Sequence, residues 1–111
     1  MKKLNILWTS GEKETFKHMV AMYSVNALRN EWWDEVNVLI WGASTKLAGS
    51  DEEVQKTIQK MIFGKVSVEA CKACADIYEA TEILEEIGVD VKYTGTTLTD
   101  YINSEDKLIT I

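Results

Sequence analysis

The sequence predicts an α/β fold built on a mostly parallel, five-stranded sheet with helices on both faces. Three observations carry that reading. Apolar runs of five or six residues alternate with segments whose apolar residues recur at helical spacing. Glycines and helix-start residues fall between these runs. The chain of 111 residues has no proline, so no element carries the break that proline imposes.

Leu4–Trp8 reads as the first strand, apolar enough to be buried. Thr9 and Glu12 then stand at capping-box spacing. Phe16, Met19, Val20, Tyr23 and Ala27 form the stripe of a first helix running to about Asn30. Val36–Trp41 is a second strand, ended by Gly42. Ser50 and Glu53 make another capping box, and Val54, Ile58, Met61 and Ile62 form the stripe of the helix it starts. Gly64 ends that helix, and Val66–Ala70 is the third strand. A helical segment from Ala75 to Ile87 follows, marked by Ile77, Thr81, Leu84 and Ile87 and closed by Gly88. Val89–Tyr93 is a fourth strand, Gly95 a turn, and a short helix is expected around Leu98 to Ile102. Lys107–Ile111 is the final strand. Strands alternating with helices form βαβ units with right-handed crossovers. The ligand site of such a sheet lies beyond the carboxyl ends of its strands.

Bulk properties narrow the function. Eighteen Asp and Glu stand against twelve Lys and Arg, a balance that argues against nucleic acid as the main partner. No apolar run approaches the roughly 20 residues of a membrane span, so no membrane partner is expected. Only a few apolar residues separate the basic start from Thr9-Ser10-Gly11, too few for a signal-peptide core, and a cytoplasmic location is expected. In that compartment a cysteine pair tends to be reduced and chemically active rather than a structural staple.

The chain's two cysteines form one motif, Cys71-Lys-Ala-Cys74, at the step from the third strand to the following helix. Residues three apart in a helical turn have Cα atoms roughly 5–6 Å apart, inside the disulfide window. The unpaired N–H groups and partial positive charge of a helix N-terminus favour a thiolate, so a depressed thiol pKa is expected there. Cys71, at the strand end, is the first candidate nucleophile, with Cys74 as resolving thiol or second acceptor; the two roles are interchangeable on spacing alone. A zinc site needs a second ligand pair that the chain lacks, so no metal is expected.

The motif in its context, Val66-Ser-Val-Glu-Ala-Cys-Lys-Ala-Cys-Ala-Asp76, and the ending Asp106-Lys-Leu-Ile-Thr110 resemble the DsrE/DsrF-like family, within it the YchN-like branch. The resemblance covers essentially the whole chain, read as one domain over 1–111. It implies a three-layer α/β/α fold and a homo-oligomer, commonly a trimer or hexamer. It also implies a link to sulfur metabolism, with sulfur carried as a persulfide on the cysteine that ends the third strand, here Cys71. Donor and acceptor proteins would then be partners, and no cofactor is implied. Relatives often place Arg-Gly shortly after the cysteine turn, whereas Ile77-Tyr78-Glu79 stand here.

Other residues qualify as support for the thiols. Lys72 is a candidate to hold a thiolate, although a turn lysine is more often solvated. Asp76 either favours the helix dipole or relays protons to Cys74. Trp8 and Trp41 end the first two strands on the cysteine edge, where they wall a pocket or else cap the core. Ser10 and Gly11 are candidate pocket backbone. Their turn lacks the glycine pattern of a phosphate loop, so no nucleotide is expected. His18 is read as a surface or interface residue, and Trp32-Trp33 as packing or interface. Asn5 and Asn37, unusual in strands, are placed to bond each other or a neighbouring subunit. Two other functions compete with sulfur carriage. One is a dithiol–disulfide redox protein, although no cis-proline can stand opposite the thiols. The other is a non-catalytic oligomeric binding or assembly module.

Overall fold

The structure, a computed structural model, describes residues 2–111. Five strands form one all-parallel sheet in the order β4-β3-β2-β1-β5. They are β1 (Lys3–Trp8), β2 (Glu35–Ile40), β3 (Ser67–Cys71), β4 (Asp90–Lys92) and β5 (Lys107–Thr110). Between β1 and β2 run α1 (Lys13–Thr15), a π-helical segment Phe16–Ala21, and α2 (Met22–Arg29). Between β2 and β3 lie α3 (Ala43–Ser50) and α4 (Glu52–Phe63). Then come α5 (Lys72–Ile77) and α6 (Thr81–Glu86), and α7 (Gly95–Asn103) joins β4 to β5.

Alternation along the strands sorts residues between two faces. One face packs in register: Leu4 beside Val36, Ile6 beside Val38 and Val68, Trp8 beside Ile40 and Ala70. These residues meet Phe16, Val20, Ala27, Ile58, Met61 and Leu84 in one buried core. Trp8 stacks on Phe16 with ring centroids 4.4 Å apart, which joins β1 to the first helical run. The order explains why one face takes most helices. The chain steps the same way from β1 to β4, so right-handed crossovers put α1 to α6 on one side. The step from β4 to β5 runs back across the sheet and carries α7 to the other. The sandwich is therefore three-layered, with a single helix as its third layer.

The α7 face mixes Leu7 and the fully buried Leu39 with polar residues. Asn37 donates from Nδ2 to Asn5 Oδ1 at 2.9 Å and to Glu35 Oε2 at 2.9 Å. The two in-register asparagines thus bond each other, one of the two roles the sequence allowed. Lys92 pairs with Glu69 at 3.2 Å. Tyr101 of α7 is half-buried here, and burial first, then the Glu69 and Glu35 carboxylates, push its phenol up to about 12.

Element ends depart from the sequence reading in consistent ways. The first helix is capped by Glu12, whose carboxylate accepts from Glu14 N, while Ser10 Oγ accepts from Glu12 N. Thr9 instead donates to the Ile111 carbonyl, because the parallel β5 brings that carbonyl alongside. Asp51, not Ser50, caps α4, its Oδ1 accepting from Val54 N at 3.0 Å. Ser50 is the last residue of α3, an eight-residue helix that the periodicity did not reveal. The single helix expected over Ala75–Ile87 is two helices. Glu79 takes φ 55° and Ala80 N donates to Ala75 O at 2.7 Å, the left-handed cap that stops a helix. The same closure recurs with Lys65 at φ 78° and Val66 N on Met61 O, so Lys65 rather than Gly64 is the left-handed residue there.

The layer formed by α1 to α6 depends on a close approach between α3 and the start of α6. A Cβ on Gly49 would stand 2.5 Å from Ala80 Cβ, closer than two such atoms sit in folded chains. Gly49→Ala should therefore lower stability by about 1–3 kcal/mol through overpacking. Gly64→Ala should stay close to wild type, since φ there is −79° and its nearest neighbours stand at 3.4 Å. Urea midpoints of the two variants check this pair. The Tyr101 shift gives a second expectation. A folded pKa of about 12 against an ordinary 10.0 means that the native state holds this proton more tightly. The associated stability is present below pH 10.0 and lost as the pH rises towards 12. Tyr101→Phe should flatten that alkaline loss, and an unchanged slope would count against the assignment.

Candidate functional site

The carboxyl ends of β1, β2 and β3 converge, and small residues let their loops touch. A Cβ on Gly11 would meet Ala43 Cβ at 3.3 Å, so the loop after β1 lies against the start of α3. Ser44 locks the two loops together. Its buried hydroxyl donates to the carbonyls of Trp8 and Trp41 and accepts from Trp41 N at 3.1 Å. Its own N–H donates to Thr9 O at 3.2 Å. On the other side of the loop, Thr9 N and Ser10 N reach the Ile111 carbonyl at 2.6 and 3.1 Å. The whole edge from β5 to β2 is thus cross-linked by hydrogen bonds.

Gly42 completes the edge. It holds φ 73° and ψ −135°, a backbone state that L side chains rarely adopt. In that conformation its backbone N–H favours the Cys74 thiolate. Cys71 ends β3 and is the N-cap residue of α5, and Cys74 lies in that helix's first turn. Both are free thiols. They approach to 3.7 Å, against about 2 Å for a disulfide bond. Cys71 is buried, whereas Cys74 is partly exposed.

The electrostatics differ from the sequence expectation. Burial pushes the Cys74 thiol above its ordinary range; the Gly42 N–H opposes this, and the adjacent Cys71 adds to the rise. The expected fall rested on a helix N-terminus, but α5 has only six residues and burial outweighs its effect. Lys72 does not reach the thiols. Its Nζ pairs with Asp76 Oδ2 at 2.7 Å and lies 5.8 Å from the Tyr93 ring centre. Asp76 takes a further bond from Thr81 Oγ1 at 2.6 Å. The Lys72 ammonium, then Thr81, hold the Asp76 carboxyl below the usual range.

The structure therefore brings Cys71, Cys74 and the Gly42 amide together, with Ser10, Gly11 and Trp41 on the adjoining loops. Trp8 is fully buried against Phe16 and serves the core. Lys72 and Asp76 form an exposed brace along α5. His18 bonds Glu14 at 3.1 Å on an exposed helix face. Gly42 and Ser44 were not singled out from sequence. The signal was the small-residue run Gly42-Ala-Ser-Thr45 directly after a strand, where loops must pack closely.

These positions set an order of reactivity. With iodoacetamide, Cys74 should be modified before Cys71, and peptide mass mapping over time would read the order. Because its pKa is raised, the Cys74 rate should keep climbing with pH beyond the point where an ordinary thiol levels off. Earlier labelling of Cys71, or a plateau at ordinary thiol pH, would contradict this geometry.

No family model matches the chain, and no curated protein matches it. Solved structures similar to the chain include two that bear on its fold and family. The ychN protein from E. coli superposes with a TM-score of 0.74 over 100% of both chains, at 17% identity. That likeness is one of fold, and the fold is YchN-like. The conserved protein of unknown function BT1422 from Bacteroides thetaiotaomicron superposes with a TM-score of 0.96. It is 37% identical, over 99% of this chain and 95% of that one. Identity at that level along nearly the full length of both chains shows common descent: the chain belongs to the family of BT1422.

Proposed function

We propose that this chain is a persulfide sulfur carrier of the DsrE/DsrF-like kind. The observation that carries the reading is the pair of free thiols 3.7 Å apart at the functional edge of a YchN-like fold. A thiol there is reachable yet half-shielded, which suits a sulfur species that free solvent would let exchange. Cys74 is the receiving sulfur, because it is the more accessible of the two. Its thiolate attacks the outer sulfur of a donor persulfide, R–S–SH. The new bond is Cys74–S–SH, the S–S bond of the donor breaks, and R–SH leaves with the balancing proton. The Gly42 N–H supports this role by favouring the Cys74 thiolate that makes the attack.

Cys71 gives the load a second fate. Its thiol attacks the inner sulfur of Cys74–S–SH, forming the Cys71–Cys74 disulfide and releasing hydrogen sulfide. The same proximity favours a second reading, a dithiol–disulfide couple that carries electrons rather than sulfur.

Intact-mass measurement of the reduced protein after exposure to glutathione persulfide separates the readings. A gain of about 32 Da, one sulfur atom, is expected. It should vanish in Cys74→Ser and persist longer in Cys71→Ser, where the resolving thiol is gone. A loss of about 2 Da with no sulfur added would instead identify the disulfide couple. No change in mass would sink both.

A further inference from the structure

Away from the thiols, a groove of about 620 Å³ runs between the first helical run and α4. Ala21 and Met61 line it from the buried core, so its floor is apolar. Met22 and Phe63 wall it, 51% and 89% exposed although both are large and apolar. Among the described residues its charged lining is cationic throughout: Lys17, Arg29 and Lys60. Lys17 is matched by Glu53 at 3.1 Å. Arg29 and Lys60 form no ion pair among the described residues, and neither does Lys65, which lines the adjoining hollow with Arg29.

Arg29 and Lys60 stand in the last turns of α2 and α4, where a cation answers the backbone dipole. The dipole accounts for the charges but not for the apolar trough that leads to them. The unpaired cations gather at one end of the groove, where the two helices run into β2 and β3. A trough with one positive end is complementary to an alkyl chain with one negative end. Its volume lies within the roughly 300–1,000 Å³ of small-molecule sites. Methionine side chains adapt their shape to a flexible chain. We propose that this groove binds a single-chain carboxylate of the fatty-acid class. The alkyl chain lies over Met22, Met61 and Phe63, and the carboxylate meets Arg29 and Lys60. This end of the groove is at the amino ends of the strands, whereas Cys71 closes β3 at its carboxyl end. Binding here is therefore independent of any sulfur chemistry.

Calorimetric titration of the full chain with sodium laurate, kept below micelle formation, provides the test. Laurate should bind saturably, one molecule per chain. Butyrate carries the same head without the tail and should give no measurable binding. Arg29→Gln/Lys60→Gln, checked for native circular dichroism, should bind laurate at least about tenfold more weakly, since the charge-assisted bonds to the carboxylate are lost. In the unaltered chain, laurate should shift the methyl resonances of Met22 and Met61 and leave the amides of Cys71 and Cys74 in place. Absence of laurate binding, equal binding of butyrate, a double variant with unchanged affinity, or shifts confined to the thiol edge would each overturn the proposal. Binding to phosphatidylglycerol vesicles without binding of monomeric laurate would overturn it as well, and would make the occupant a lipid surface.

Discussion

The hydroxyl of Ser44 is the constraint on which the functional edge depends. Parallel strands leave the carbonyls at their carboxyl ends without the next ladder partner, and in a buried edge each such group is costly unless bonded. The Trp8 carbonyl keeps a ladder bond from Trp41 N at 3.1 Å, and Ser44 adds its one hydroxyl proton to this junction, shared between the carbonyls of Trp8 and Trp41, while its oxygen accepts from Trp41 N. This fixes where α3 begins relative to β1 and β2. Gly42, between β2 and α3, holds φ 73°, and its backbone N–H favours the Cys74 thiolate.

The thiol pair gains access at the expense of acidity. A longer helix behind Cys74 would offer a stronger field for a thiolate, yet α5 stops after six residues at the left-handed Glu79. Burial is then the larger influence on Cys74, with one backbone donor against it. The positive charge nearest in sequence, Lys72, is committed to Asp76 and turned along the helix. A sulfur poised this way is a restrained nucleophile.

The two faces of the sheet are built on different physics. The face under α1 to α6 is an apolar core with Trp8 at its centre, and its stability comes from excluded water. The face under α7 adds to the buried Leu39 the paired asparagines, the Lys92–Glu69 bridge and the half-buried phenol of Tyr101. No described residue of α7 is fully buried. Polar contacts of this kind fix geometry more than they add stability. Meanwhile the outer surface of the helical layer exposes Phe63 and Met22 on one flank and Ile77 and Tyr78 on another.

Much of the architecture was legible in the sequence because hydrophobic period reports the partner surface directly. All five strands, the helices they alternate with and the edge that carries Cys71-Lys-Ala-Cys74 follow from it. The α3 helix was illegible because its residues are small: Ala43, Ser44, Ala48 and Gly49 pack by close approach, which leaves no apolar stripe to count. The break at Glu79 was equally hidden, since Ile77, Thr81 and Leu84 keep helical spacing across it. Tertiary structure alone decided which sulfur is reachable, how its pKa moves and that Lys72 serves Asp76. It also decided that Trp8 belongs to the core. Those outcomes depend on burial and on backbone N–H groups contributed by other strands, and neither is written in the spacing of residues along one segment.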